Sequence, residues 1–227
     1  DLTLQLRYSI YRQEVTLPDY LKNCNNLTTN GMPFNPSPAF MNFNGTWDGS
    51  SSGCYSDGEA SLPIRKELAN GATLTSMLGY SLTYNTLDNN KNPTDGLLID
   101  FKQDFAGVGG DVSYLKTALD TKYYQPLVSD IVGLIHLQGG MLNNVGGGQS
   151  GIRMLDNFQM GPTLVRGFEP NGIGPRDTNY LSTMDALGGT KYWGASVELQ
   201  MPFWFLPKEV GLKGAIYADA GSLWDYK

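Results

Sequence analysis

The chain has 227 residues, and 28 glycines, 13 tyrosines and only 17% charged residues set it apart from an ordinary water-soluble domain. A net charge of −6 with no basic stripe excludes nucleic acid as a partner. No run approaches the roughly 18 consecutive apolar residues of a membrane helix, and no signal peptide stands at Asp1.

Read by period, the chain is strands almost throughout. Alternation is already running at Leu2, so the chain is expected to be a mature fragment of a longer protein. Leu2, Leu4, Leu6, Tyr8 and Ile10 share one face against Thr3, Gln5, Arg7 and Ser9. A long polar connection, 17–70, follows and holds both cysteines, Cys24 and Cys54. Confined to one polar loop, without CxxC or metal-ligand spacing, the pair is expected as a disulfide formed outside the cytoplasm; two free thiols are the alternative. The sequons at Asn26 and Asn44 are read as chance matches.

Leu74, Leu78, Tyr80, Leu82 and Tyr84 open the next alternation, closed by the turn "NNKNPTDG" (Asn89–Gly96). Leu97, Ile99, Phe101 and Phe105 then oppose Asp100, Lys102 and Asp104. After the short link "GVGGD" (Gly107–Asp111), Leu115, Leu119 and Tyr123 oppose Lys116, Asp120 and Lys122. Ile131, Ile135 and Leu137 share a face, and the single histidine, His136, is expected to face the opposite way without a catalytic partner. A second long connection, 143–189, contains "TLVRGFEPNGIGPRD". Beyond it Trp193, Ala195, Val197 and Leu199 oppose Tyr192, Ser196, Glu198 and Gln200. Finally Ile216, Ala218 and Ala220 oppose Lys213, Tyr217 and Asp219.

This pattern predicts an all-β fold of about seven strands. A soluble sandwich also alternates, but three features favour a transmembrane antiparallel β-barrel. Several strands reach the roughly 9–11 residues needed to cross a bilayer at a tilt. The polar faces carry real charges, as a wet lumen allows. Aromatics gather near strand ends as in interfacial girdles: Tyr8, Tyr11, Tyr80, Tyr84, Tyr123, Tyr124, Trp193, Phe203, Trp204, Phe205 and Trp224. Short and long connections alternate, and seven strands cannot close a bacterial barrel of even strand number, so a larger barrel is implied.

No chemistry of an enzyme is visible. There is no G-x-S-x-G elbow, "GGMLNNVGGGQSG" lacks the lysine of a phosphate loop, and Asp100, Asp104 and Asp111 read as a solvated face instead of a cation site. No cofactor and no metal are expected, and a lipase or protease lacks a nucleophile–base pair.

"VRGF" (Val165–Phe168), "NGIGPRD", "GGTKYWGASVELQMPF" (Gly188–Phe203) and "YADAGSLWD" (Tyr217–Asp225) stand in that order. With "YSLTYNTLDNNKNPTDG" upstream, the chain resembles the BamA-type outer-membrane assembly superfamily over nearly all of its length outside 17–70. The resemblance implies one outer-membrane barrel domain over 1–227, holding strands seven to thirteen of sixteen, with periplasmic repeat domains absent. It makes 17–70 the fourth external loop and 143–189 a sixth loop that folds into the lumen. There Arg166 is expected to pair with Glu198 and Asp219. Both acids are inward by parity, and a guanidinium forks well onto carboxylates. Gly167 is expected to take a backbone angle closed to other residues, Phe168 to wedge the loop against the wall, and Gly172, Gly174 and Pro175 to form a hairpin tip.

The family further implies a non-enzymatic insertase in the bacterial outer membrane. Its seam opens, thins the bilayer and offers a strand edge to other barrels. Implied partners are outer-membrane protein substrates, accessory lipoproteins docking on the periplasmic domains, and the membrane's lipid and lipopolysaccharide. Alternatives are a two-partner exporter, a translocation and assembly module, or a porin or surface adhesin.

Overall fold

The computed structural model describes residues 1–16, 28–29, 32–33, 61, 63–64, 67, 71–128, 130–146, 152–178, 184–203 and 212–226. Cys24, Cys54, Asn26, Asn44, Trp204, Phe205 and most of 17–70 lie outside the described residues.

Among the described residues nine strands follow in chain order: β1 (Leu2–Gln13), β2 (Thr28–Thr29), β3 (Met32–Pro33), β4 (Thr73–Asn85), β5 (Gly96–Ala106), β6 (Tyr114–Pro126), β7 (Val132–Asn144), β8 (Lys191–Pro202) and β9 (Lys213–Trp224). β2 and β3 make a two-residue ladder of their own inside the stretch expected as plain loop. The other seven pair antiparallel, each with its neighbour along the chain, in the order β1-β4-β5-β6-β7-β8-β9. β1 and β9 are the two edges, so the sheet is an open stretch of wall. Its connections alternate between ends: 14–72, 107–113 and 145–190 at one, 86–95, 127–131 and 203–212 at the other.

The register carries the alternation across the whole sheet. One face holds the row Leu4, Leu82, Phe101, Leu119, Gly139, Trp193. On β1 its members Leu2, Leu4, Leu6, Tyr8 and Ile10 are each 57% to 76% exposed. A continuous apolar face left this open has no partner in water, whereas lipid satisfies it. The opposite face holds Arg7, Gly79, Asp104 and Lys116 in one row and Asp100, Asp120 and Gln138 in another. Two tyrosines leave the expected girdle: Tyr11 pairs with Thr75 and Tyr124 with Leu134, positions of the polar inner face. They are strand-end aromatics of the wrong parity to reach lipid.

Charges on the inner face pair with one another, which makes an inward polar face tolerable. Arg7 Nε and Nη2 donate to Asp104 Oδ1 at 2.9 and 2.5 Å. The pair spans β4 above Gly79, where a Cβ would collide with Asp104 Oδ1 and lie 2.8 Å from Arg7 Nε. His136 Nε2 lies 3.0 Å from Asp120 Oδ1, and Gln138 Nε2 donates to Asp120 Oδ2 at 2.6 Å. The three aspartates weighed as a cation site are engaged elsewhere: Asp100 with Lys102, Asp104 with Arg7, and Asp111 with the Leu74 amide.

Asp88 organises the 86–95 turn. Its Oδ1 accepts from the amides of Thr94 (2.9 Å) and Asp95 (3.2 Å), and its Oδ2 from the Thr94 hydroxyl (2.7 Å). These bonds, the Thr94 hydroxyl foremost, hold its carboxyl down at about 2 from an ordinary 3.8. A depressed carboxyl contributes its stability above the unfolded pKa and loses it as pH falls through the folded one. The turn is therefore expected to stay ordered above pH 3.8 and to loosen as the pH falls to about 2. An NMR titration of the Thr94 amide checks this: the inflection is expected near the lower value, and one at the ordinary carboxylate value refutes it.

Candidate functional site

The connection between β7 and β8 does not stand away from the sheet: residues 152–178 lie along its inner face. A 3-10 turn, Met154–Asp156, begins this path. Arg153 before it donates through Nε to Glu67 Oε2 at 2.5 Å, and the Met154 amide donates to Glu67 Oε1 at 3.2 Å. Both side chains of the pair are largely buried; with the Ser61 amide donating to Asp185 Oδ2 at 3.0 Å, they clasp the two long connections together. Next, Lys116 Nζ donates to the Asp156 carbonyl at 3.0 Å and sits 4.6 Å from the Phe158 ring centroid. Phe158 in turn packs on Tyr192 of β8, centroids 4.7 Å apart.

A tight turn follows, with the amides of Leu164 and Val165 both donating to the Gly161 carbonyl at 3.1 Å. It delivers Arg166 onto a patch of four inward residues from two adjacent strands. Ser196 of β8 pairs with Asp219 of β9, and Glu198 pairs with Tyr217. Arg166 meets all four. Nε donates to Asp219 Oδ2 at 2.7 Å and Nη2 to Asp219 Oδ1 at 2.7 Å, a bidentate fork. Nη1 donates to Glu198 Oε2 at 2.6 Å, and Nη2 also reaches Ser196 Oγ at 2.8 Å. The Arg166 amide adds a bond to Asp219 Oδ2 at 3.0 Å, and the guanidinium carbon lies 3.4 Å from the Tyr217 ring centroid. Ser196 Oγ donates to Asp219 Oδ1 at 2.7 Å, and Gln200 Nε2 to Glu198 Oε1 at 3.0 Å.

Asp219 is 4% exposed and Glu198 14%, so neither acid is solvated enough to stand alone. Two carboxylates and one guanidinium form a site of net charge −1, with all three guanidinium nitrogens bonded. The hydrogen bond to Asp219, then that to Glu198, raises the Arg166 pKa, so the guanidinium is a fixed charge. A cavity of about 240 Å3 beside it is lined by Leu134, His136, Pro162 and Leu164 among others. Such an arrangement holds a segment in place.

The structure thus brings together Arg166, Glu198 and Asp219. Val165 is 5% exposed and packs with Met160 and Leu223. Gly167 has φ +92°, a left-handed conformation that a side chain strains. Phe168 is 50% exposed on this open sheet, while Val165 and Met160 pack on the wall beside the fork. The tip is closed by the Gly172 amide donating to the Glu169 carbonyl at 2.9 Å, with Asn171 at φ 56°. Ser196 and Tyr217 were not singled out in the sequence, yet their parity beside Glu198 and Asp219 is a readable signal. Glu67 and Arg153 carried none, being 86 residues apart.

An antiparallel meander with an apolar outer face, a charged inner face and a loop bonded to that inner face defines a class: the wall of a membrane β-barrel with an inserted loop. The chain belongs to the Omp85 superfamily, whose domain model matches residues 1–227. Among its relatives is the mouse "sorting and assembly machinery component 50 homolog", 36% identical over 177 residues, covering 75% of this chain and 36% of the relative. Another is the outer membrane protein assembly factor BamA of Neorickettsia risticii, 33% identical over 169 residues, covering 74% of this chain and 22% of the relative. In fold the chain is similar to a crystal structure of BamA from Haemophilus ducreyi lacking POTRA domains 1–3. That likeness has a TM-score of 0.62 at 23% identity, over 68% of this chain and 31% of the other. The chain spans about a third or less of the length of these relatives.

Proposed function

We propose that this chain is part of the barrel core of a non-enzymatic machine that folds and inserts other β-barrels into an outer membrane. The observation that carries the reading is the five-bond fixation of Arg166 on Asp219, Glu198 and Ser196, in a chain whose relatives are named for assembly. In this reading the loop is a latch that braces the wall from inside while the barrel's seam, formed by strands other than these, opens to substrates. By the resemblance, the seven strands of the wall are the seventh to thirteenth of sixteen, with 17–70 and 143–189 as the fourth and sixth loops. Its substrates are unfolded outer-membrane proteins, its surroundings lipid and lipopolysaccharide, and accessory lipoproteins meet it through periplasmic domains.

The location expected from sequence is the bacterial outer membrane, and the Neorickettsia relative supports it. The second reading is the outer membrane of a eukaryotic organelle. The slightly higher identity to the mouse protein favours that one, since mouse cells have no bacterial envelope. Fractionation of source cells with an antibody to the chain separates the two.

Depletion of the full-length protein in its source cell tests the function. Many different barrels are expected to accumulate unfolded outside the membrane. If barrels fold normally and a single secreted protein is retained instead, the chain is an exporter and the assembly reading falls.

A further inference from the structure

The inner faces of β8 and β9 form a ladder of directly paired residues: Tyr192 with Leu223, Gly194 with Gly221, Ser196 with Asp219, Glu198 with Tyr217. The last two rungs hold Arg166. The rung next to them is a glycine pair, the only one among the paired residues of β8 and β9, and it leaves a notch in the wall one step from the fork. The notch is filled. Met160 lies over it at 1% exposure, one of the most deeply buried large side chains described. A Cβ on Gly221 would collide with Met160 Cε and stand 2.9 Å from the Trp193 carbonyl oxygen and 3.0 Å from Val165 Cγ2. A Cβ on Gly194 would lie 3.0 Å from Leu164 Cδ2 and 3.8 Å from Met160 Cε.

Between the key and the fork lies only the tight turn closed on the Gly161 carbonyl. The loop therefore touches β9 at two inward positions two residues apart, Met160 on Gly221 and Arg166 on Asp219. Arg166 holds the loop at a single residue, through its side chain and its amide, and the chain on either side can still turn about it. A second contact of fixed depth next to it removes that freedom. The outer end of the notch is closed as well, for Phe158 packs on Tyr192 and Gly174 on Leu223.

We propose that Met160 and the Gly194–Gly221 notch are positioning elements, a size-matched key and slot that sets the register of the loop on the wall and so places Arg166 on its acids. The role in assembly rests on the function proposed above; the positioning role does not. The slot is made by the absence of side chains and the key by one flexible thioether, which fills an irregular gap well. A methyl in the slot overpacks it, and shortening the key relieves the overlap.

The test is a size exchange in the full-length protein. Exposure of Arg166 is read by phenylglyoxal labelling and mass spectrometry, on barrels confirmed as folded by their heat-dependent gel mobility. Arg166 is expected to be protected in the parent and labelled roughly tenfold faster in Gly221→Ala, the change in population expected of an overpacked contact. In the double variant Gly221→Ala with Met160→Ala, labelling is expected to fall back towards the parent's, since the severest overlap is gone and only the tighter approaches to the Trp193 carbonyl and Val165 remain. A general loss of barrel stability gives no such rescue, because Met160→Ala alone removes packing. Protection that persists in Gly221→Ala, or labelling that Met160→Ala fails to reverse, overturns the proposal. If labelling follows the exchange while barrel-folding activity does not, the key and slot stand and the assembly reading falls.

Discussion

Replacing Arg166 with alanine is expected to detach the loop from the wall and to remove assembly activity while the barrel itself still forms. The reason lies in what is left behind. Asp219 loses a bidentate fork and Glu198 its one cationic partner, both in sites largely closed to water. Breaking a buried pair from one side costs about 3–5 kcal/mol. Arg166 is itself one-third exposed, so about 3 kcal/mol, or a loss of docked loop of roughly a hundredfold, is the appropriate figure. Arg166→Lys is expected to fall between, because an ammonium is a point charge and cannot span Asp219 and Glu198 together. The docked fraction, read by proteolysis of the loop, is expected to rank parent, lysine, alanine. An alanine variant with the parent's protection would contradict the assignment.

Gly79→Ala is expected to be as damaging from the other side of the wall. No strained backbone angle is involved; the constraint is the Arg7–Asp104 pair that crosses β4 directly over this residue. A methyl there cannot coexist with Asp104 Oδ1 and forces the pair apart. Overpacking together with the loss of charge-assisted bonds between part-buried groups costs about 3 kcal/mol. The measurement is the unfolding midpoint of the barrel in urea, expected to fall clearly in Gly79→Ala. Arg7→Met releases Asp104 Oδ1 from its place over Gly79, so Gly79→Ala added to it is expected to cost much less. Equal costs in the two backgrounds would show that the pair is not what excludes the methyl.

The fold is legible in the sequence because a barrel wall demands period two from every strand. Leu97, Ile99 and Phe101 against Asp100 and Lys102 leave no other regular reading, and the observed register sets Phe101 beside Leu82 and Leu119 and Asp100 beside Thr83 and Asp120. The inward direction of Glu198 and Asp219 is legible for the same reason: parity on a strand is a local property. Tyr11 and Tyr124 are misread because being an aromatic near a strand end is not enough; parity decides between lipid and lumen. The placing of Phe168 is not legible, because an aromatic in a loop has no period to orient it. Met160 is invisible beforehand for a related reason: its partner is the space over two glycines on strands that follow 30 and 60 residues later, and an empty position leaves no hydrophobic signal. The clasp of Arg153 on Glu67 joins two long connections of irregular structure, where neither period nor spacing brings residues together.

The Arg166 substitution bears on the central claim, that the loop fixed by Arg166 inside the wall is what lets this barrel assemble others. The direct measurement is the rate at which an unfolded outer-membrane barrel folds into liposomes carrying the full-length protein, with and without Arg166→Ala, at equal amounts of folded machine. The parent is expected to accelerate folding well above protein-free liposomes, and the variant to lose nearly all of that acceleration. An Arg166→Ala protein that is folded, has a released loop and accelerates folding as fast as the parent would contradict it.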